Sequence, residues 1–186
     1  MMQTAAQTHA CWTGWHHQGL ERLTLEVVTE GFRVNSVVRG HDGAAPFQLT
    51  YRLSLDEQWH TRRLNARLSD GRECQLQADG AGHWYNVLGE PIPALAGCVD
   101  IDIAATPFTN TLPIRRLALN TGDVRTLDVA LLSVPALTWQ SARQRYTCLS
   151  MHRYYYEGLD SGFGAELHVD DQGMVLDYPE TFRRCS

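Results

Sequence analysis

The run Phe47-Gln48-Leu49-Thr50-Tyr51-Arg52-Leu53-Ser54-Leu55 decides the fold. Every odd position is apolar and every even one polar. Successive side chains of a strand point to opposite faces, so a period of two describes a strand with one wet face and one face on a core. The alternation recurs along the chain. Leu23, Leu25 and Val27 alternate with Arg22, Thr24 and Glu26, and Leu64, Ala66 and Leu68 alternate with Arg63, Asn65 and Arg67. Cys74, Leu76 and Ala78 continue it, then Val99, Ile101 and Ile103, then Phe163, Ala165, Leu167 and Val169. Between the runs stand Asp42-Gly43, Asp70-Gly71, Asp79-Gly80, Gly122-Asp123 and Gln172-Gly173. Asp-Gly between alternating segments marks a hairpin, because glycine reaches the positive φ of a tight turn. Hairpin-joined strands are antiparallel neighbours, so the pattern predicts a mainly β chain with one long antiparallel sheet.

One segment departs from this period. Asn110-Thr111-Leu112-Pro113-Ile114-Arg115-Arg116-Leu117-Ala118-Leu119 has a capping residue, an early proline that suits only a first helical turn, and Gly122 just past its end. These signals predict a single short helix near 110–119, with Ile114, Leu117 and Ala118 on one stripe facing the concave side of the sheet. No repeat, low-complexity tract or linker interrupts the sequence, which reads as a single domain over 1–186.

Composition narrows the class. The 186 residues are 44% hydrophobic and 20% charged, values that disfavour disorder. No apolar run approaches the ~20 residues of a membrane span. Met1 to Ala10 carries neither the basic nor the apolar region of a secretory signal, so a cytoplasmic setting is expected. The net charge is −5, and all sixteen basic residues are arginine. Without a basic stripe, nucleic acid is not an expected partner. Cys11, Cys74, Cys98, Cys148 and Cys185 are odd in number, widely spaced and without a CxxC pair. That spacing fits reduced, unpaired thiols rather than a disulfide framework, zinc ribbon or thioredoxin-type site.

Four constellations bear on chemistry. His9, Cys11, His16 and His17 invite a metal reading, but an extended strand sets His9 and His17 ~26 Å apart, and no metal site is expected. Asp160-Ser161-Gly162 consists of turn formers and has no nucleophile elbow around it. Asp100 and Asp102 share one face of a strand, ~7 Å apart. They suit either an acid/base pair or, more simply, ion pairs with arginines such as Arg115, Arg116 or Arg145. Aromatic residues crowd strand-like segments: Trp12, Trp15, Trp59, Trp84, Tyr85, Trp139, Tyr146 and the run Tyr154-Tyr155-Tyr156, whose rings must occupy both faces of a strand.

Four blocks carry a resemblance. They are Gly97-Cys98-Val99-Asp100-Ile101-Asp102, Thr106-Pro107-Phe108-Thr109-Asn110-Thr111-Leu112-Pro113-Ile114-Arg115-Arg116-Leu117, Gln144-Arg145-Tyr146-Thr147 and Val175-Leu176-Asp177-Tyr178-Pro179. They resemble the signature blocks of a bacterial family, first defined as a domain of unknown function and associated with glycolipid binding. The resemblance implies a spiral β-roll, a long antiparallel sheet wrapped half-barrel-like around one helix, in a homodimer. It is similar in architecture to periplasmic lipoprotein carriers, and it brings no catalytic residues with it.

The leading expectation is a non-catalytic carrier or sensor for an amphiphile, a glycolipid or lipid, with no cofactor. Trp84, Asp100, Asp102, Thr106, Asn110, Arg115, Arg145 and Tyr146 are the candidate ligand-binding residues. Arg115 and Arg145 would meet an anionic head group, and Asp100 or Asp102 a sugar hydroxyl. Two rivals stand beside it: a carboxylate-dependent enzyme acting on a sugar or lipid head group through Asp100 and Asp102, and a homodimeric interaction module without a small ligand.

Overall fold

The structure, a computed structural model, describes residues 6–16 and 19–185. The first half of the chain is the expected meander: β1 (Gln7–Gly14), β2 (Leu20–Val28), β3 (Gly31–Asp42), β4 (Ala45–Leu55), β5 (Thr61–Leu68), β6 (Glu73–Ala78) and the short β7 (Trp84–Tyr85). The second half comprises β8 (Asp100–Ile103), the helix α1 (Thr111–Leu117), β9 (Val124–Leu132), β10 (Trp139–Ser150), β11 (Arg153–Gly158), β12 (Phe163–Val169), β13 (Val175–Tyr178) and β14 (Phe182–Arg184). All the strands join one sheet in the order β7-β6-β5-β4-β3-β2-β1-β14-β13-β12-β11-β10-β9-β8. The first and last strands of the chain are therefore neighbours in the middle of the ladder, where β1 pairs antiparallel with β14.

One pair departs from the antiparallel expectation. β8 runs parallel to β9, from Asp100 opposite Val129 to Ile103 opposite Leu132. Parallel neighbours cannot be joined by a hairpin and need a crossover, commonly a helix. Here α1 is that crossover, which explains why a chain of strands contains a helix at this point.

The sheet curls until its far edge meets its near half but stays open. The backbone N–H of Ile101, on the last strand of the ladder, donates to Thr61 Oγ1 on β5 at 3.1 Å. The Trp84 indole donates to the Cys98 carbonyl at 2.7 Å, and Arg72 reaches the Pro135 carbonyl at 3.1 Å. The concave face holds two apolar clusters. One places Leu23, Val34, Leu49, Leu53, Leu64 and Leu76 of β2–β6 against Ile101, Ile103, Ala130 and Leu132 of β8 and β9. The other gathers Tyr146, Tyr154, Leu167, Val169, Val175 and Tyr178 of β10–β13. The helical segment is the wedge between them: Phe108 and Leu112 enter the first cluster and Ile114 the second.

The helix is shorter than expected and is buried through a different set of residues. A 3-10 turn at Phe108–Asn110 precedes Thr111–Leu117, and every residue from Thr106 to Ile114 is buried. Of the expected stripe only Ile114 is buried. Leu117 is half-buried, and Ala118 is exposed because it forms the left-handed C-cap at φ 44°, its N–H bonded to the Ile114 carbonyl. The roll swallows the first turns of the helix whole and leaves its C-terminal end in solvent.

Candidate functional site

Glu21 is a buried carboxylate outside the candidate residues of the sequence. It lies on β2 two residues before Leu23, so the alternation that turns Leu23 and Leu25 inward turns Glu21 inward as well. It is 2% exposed and has no cationic partner among the described residues. Three hydroxyls satisfy it. Ser36 Oγ and Tyr51 OH each donate to Oε1 at 2.7 Å, and Thr106 Oγ1 donates to Oε2 at 2.6 Å. Ser36 and Tyr51 are direct cross-strand partners on β3 and β4, so three consecutive strands and the loop before the helix converge on one side chain. Burial pushes the Glu21 carboxyl up to about 6, against the pull of the three donors.

Glu21 borders a cavity of about 240 Å³ at the end of the roll formed by the β3–β4 hairpin. Trp12, Leu20, Val38, Phe47, Val134 and Phe182 supply its apolar wall, and Glu21, Arg39 and His41 its polar groups. Local geometry shapes it. Gly40 faces Phe47 across β3 and β4, and a Cβ at Gly40 would sit 2.6 Å from the tip of the Phe47 ring, so any larger residue there would displace that ring. The Trp12 indole is held by its own donation to the Val175 carbonyl at 2.7 Å.

An aromatic row leads away from the cavity. Phe182 packs on Tyr178 with ring centroids 6.2 Å apart, Tyr178 on Phe163 at 6.0 Å and on Tyr156 at 6.1 Å, and Tyr156 edge-on to Tyr146 at 5.4 Å. Phe163 is 42% exposed and Tyr156 and Phe182 are half-buried, so the row is open to solvent on one side. It ends at a second polar node. Tyr146 OH donates to Asn110 Oδ1 at 2.8 Å, Gln144 Nε2 donates to Asp102 Oδ2 at 2.6 Å, and Thr109 Oγ1 donates to Asp102 Oδ1 at 2.9 Å. Burial raises the Asp102 carboxyl above the usual carboxylate range, opposed by Thr109 and Gln144.

The structure therefore brings five of the eight expected residues to the two sides of the helical wedge: Thr106 at the first node, Asp102, Asn110 and Tyr146 at the second, and Asp100 beside them. Asp100 is not free to meet a ligand. It is fully buried and paired with Arg116 through Nε–Oδ1 at 3.1 Å and Nη2–Oδ2 at 2.6 Å. Asp102, by contrast, takes hydroxyl and amide partners rather than an arginine. The other three residues lie apart. Trp84 is buried in the core against Cys98, Arg115 caps the Trp59 ring at 5.1 Å, and Arg145 points to the outer face, where it pairs with Glu157 at 2.7 Å. Asp160-Ser161-Gly162 is the turn between β11 and β12, as read. His17 lies outside the described residues, His9 bonds Thr24, and no group of three metal-ligating side chains occurs among the described residues.

An open, rolled sheet wedged by one crossover helix, with a cavity at one end and an aromatic row beside it, defines a β-roll. The chain belongs to the family described as "Putative glycolipid-binding", whose model matches residues 9–184. It is similar to a DUF1089 family protein from Pseudomonas aeruginosa solved by crystallography, with 42% identity, a TM-score of 0.80, and coverage of 89% of this chain and 92% of that one. No curated protein matches the chain. Among the described residues no helix is long and apolar enough to cross a membrane.

Proposed function

We propose that this protein binds an amphiphile with a sugar-like head group, as a carrier or sensor and without chemical turnover. The observation that carries the reading is the cavity beside Glu21, with an apolar wall, a few polar groups and an open aromatic row leading from it. Ligand sites are built in this way, largely apolar with a small number of placed polar groups. At about 240 Å³ the cavity is smaller than the ~300–1,000 Å³ of sites that enclose a whole drug-sized molecule. It suits one end of an amphiphile, with the remainder laid along Phe182, Tyr178, Phe163 and Tyr156. Aromatic faces offer a sugar ring or an acyl chain a rigid apolar surface at low entropic cost. Arg39 and His41 supply donors for head-group oxygens, while Glu21, held by Ser36, Tyr51 and Thr106, fixes the polar edge of the cavity.

The family description supports the glycolipid class. The enzyme reading built on Asp100 and Asp102 has less support, since one carboxylate is committed to Arg116 and the other to Thr109 and Gln144. Native mass spectrometry of protein purified from its own host tests the proposal. A retained mass that dissociates as an amphiphile on a dimeric protein is the expected result. Clean apo-protein that also takes up no alkyl glycoside would defeat it.

A further inference from the structure

Cys11 and Cys185 stand at the two ends of the described chain, yet they meet. Trp12 is the register partner of Arg184 where β1 pairs with β14, which sets Cys11 opposite Cys185. The backbone confirms the alignment: Cys185 N–H donates to the Cys11 carbonyl at 2.7 Å. The two sulfurs face each other at 2.6 Å, both as free thiols and both partly exposed. Cys74, Cys98 and Cys148 are buried, and Cys98 and Cys148 direct their sulfurs to Ser141 and to the Ser150 carbonyl. The wide spacing that argued against pairing in the sequence is removed here by topology, since the sheet order makes the first and last strands neighbours.

The position has leverage. β1 and β14 share three register pairs and β13 and β14 only two, against seven for β1 with β2 and nine for β2 with β3, so the ladder is thin where its two halves join. The cysteines are 174 residues apart in sequence, so a bond between them would enclose nearly the whole chain. Stabilisation by a cross-link grows with the loop it closes in the unfolded chain. Trp12 and Phe182, on the same two strands, both line the cavity, so the seam also holds the cavity floor in place.

We propose that Cys11 and Cys185 form a disulfide that fastens this seam, by exchange with a low-molecular-weight disulfide such as oxidised glutathione. One cysteine thiolate attacks the glutathione disulfide, expelling one glutathione thiolate and leaving a mixed disulfide on the protein. The facing cysteine then loses its proton and attacks the protein sulfur of that bond, releasing the second glutathione thiolate. The protein loses two hydrogens and two electrons, which the two glutathione thiols carry away. Burial and the neighbouring Cys185 push the Cys11 thiol up to about 11, so alkaline buffer speeds an exchange that begins at Cys11.

The test equilibrates the full chain, first fully reduced, in glutathione buffers of increasing oxidised fraction at mildly alkaline pH, then alkylates it after acid quench and unfolding. At the oxidised end we expect three alkylated thiols in place of five, one peptide pair joining Cys11 to Cys185, and a thermal midpoint raised on the order of 5–10 °C. Cys185→Ser, at a partly exposed site, is expected to lose both the linked peptide and the thermal gain while folding as the reduced protein does. Five alkylated thiols throughout, glutathione adducts that never resolve, a cross-link between chains or to another cysteine, or a linked pair without thermal gain would each overturn the proposal.

Discussion

Thr106 Oγ1 donates to Glu21 Oε2 at 2.6 Å and accepts the Phe108 N–H at 3.0 Å, so one hydroxyl joins the concave sheet to the start of the helical wedge. Hydrogen bonds to charged groups contribute about 1.5–3 kcal/mol, and a buried donor left without a partner costs a further ~1–3 kcal/mol. Thr106→Val is thus expected to lower unfolding free energy by roughly 2–4 kcal/mol, and Thr106→Ser by much less. Chemical denaturation of both variants checks this. A loss in Thr106→Ser as large as that in Thr106→Val would mean that the methyl group matters as much as the hydroxyl.

Glu21 predicts a pH dependence with a definite sign. Its folded pKa, about 6, lies above the 4.5 of a free glutamate. The folded state therefore holds the proton more tightly than the unfolded one, and this group's contribution is fully present below pH 4.5 and lost as pH rises through 6. The change is about 2 kcal/mol across that window. Glu21→Gln should flatten this part of the stability profile, with denaturation at closely spaced pH values as the measurement. An unchanged slope would mean that other groups set it.

The Glu21 site was half legible in the sequence. Period-two alternation located the strands, and Leu49, Tyr51, Leu53 and Leu55 are all buried as the pattern of 47–55 requires. The Asp70-Gly71 and Asp79-Gly80 pairs fall between consecutive strands, and Asp42-Gly43 spans the end of β3 and its turn into β4. Glu21 also obeys the alternation, but it breaks the rule that inward positions are apolar, and only the hydroxyls of Ser36, Tyr51 and Thr106 make that exception tolerable. Those partners lie up to 85 residues away in sequence, so no local pattern reports them. The parallel pairing of β8 with β9 was hidden for a similar reason: alternation gives a strand's faces, not its direction. A stripe through Ile114, Leu117 and Ala118 would need a helix that runs past Leu117, where α1 ends and Ala118 turns left-handed.

The Asp100–Arg116 pair should respond unequally to its two deletions. Arg116 retains 17% side-chain exposure and Asp100 none. Arg116→Ala strands a buried carboxylate, a loss of ~3–5 kcal/mol near neutral pH that shrinks on acidification as Asp100 takes a proton. Asp100→Ala leaves a guanidinium that can still reach water and should cost less. A double-mutant cycle with both alanines measures the coupling, and equal single losses would contradict the burial asymmetry.

Within the helix the weight should fall on Leu112. It is fully buried in the first cluster, so Leu112→Ala is expected to cost ~2–5 kcal/mol, and Leu117→Ala, at a half-buried site, distinctly less. Thermal or urea unfolding distinguishes them. The reverse order would place the wedge on the wrong face.

On the proposed reading, the cavity beside Glu21 holds one end of an amphiphile. Calorimetric titration of the full chain with octyl glucoside below its micellar concentration tests this most directly, alongside Ala105→Phe, which fills the cavity from its loop wall, and Phe182→Ala, which breaks the aromatic row at the cavity. Saturable binding by the native chain is expected, weakened at least about tenfold in each variant, a loss of ~1.4 kcal/mol or more. Equal binding by all three proteins, or no binding by the native chain, would contradict it.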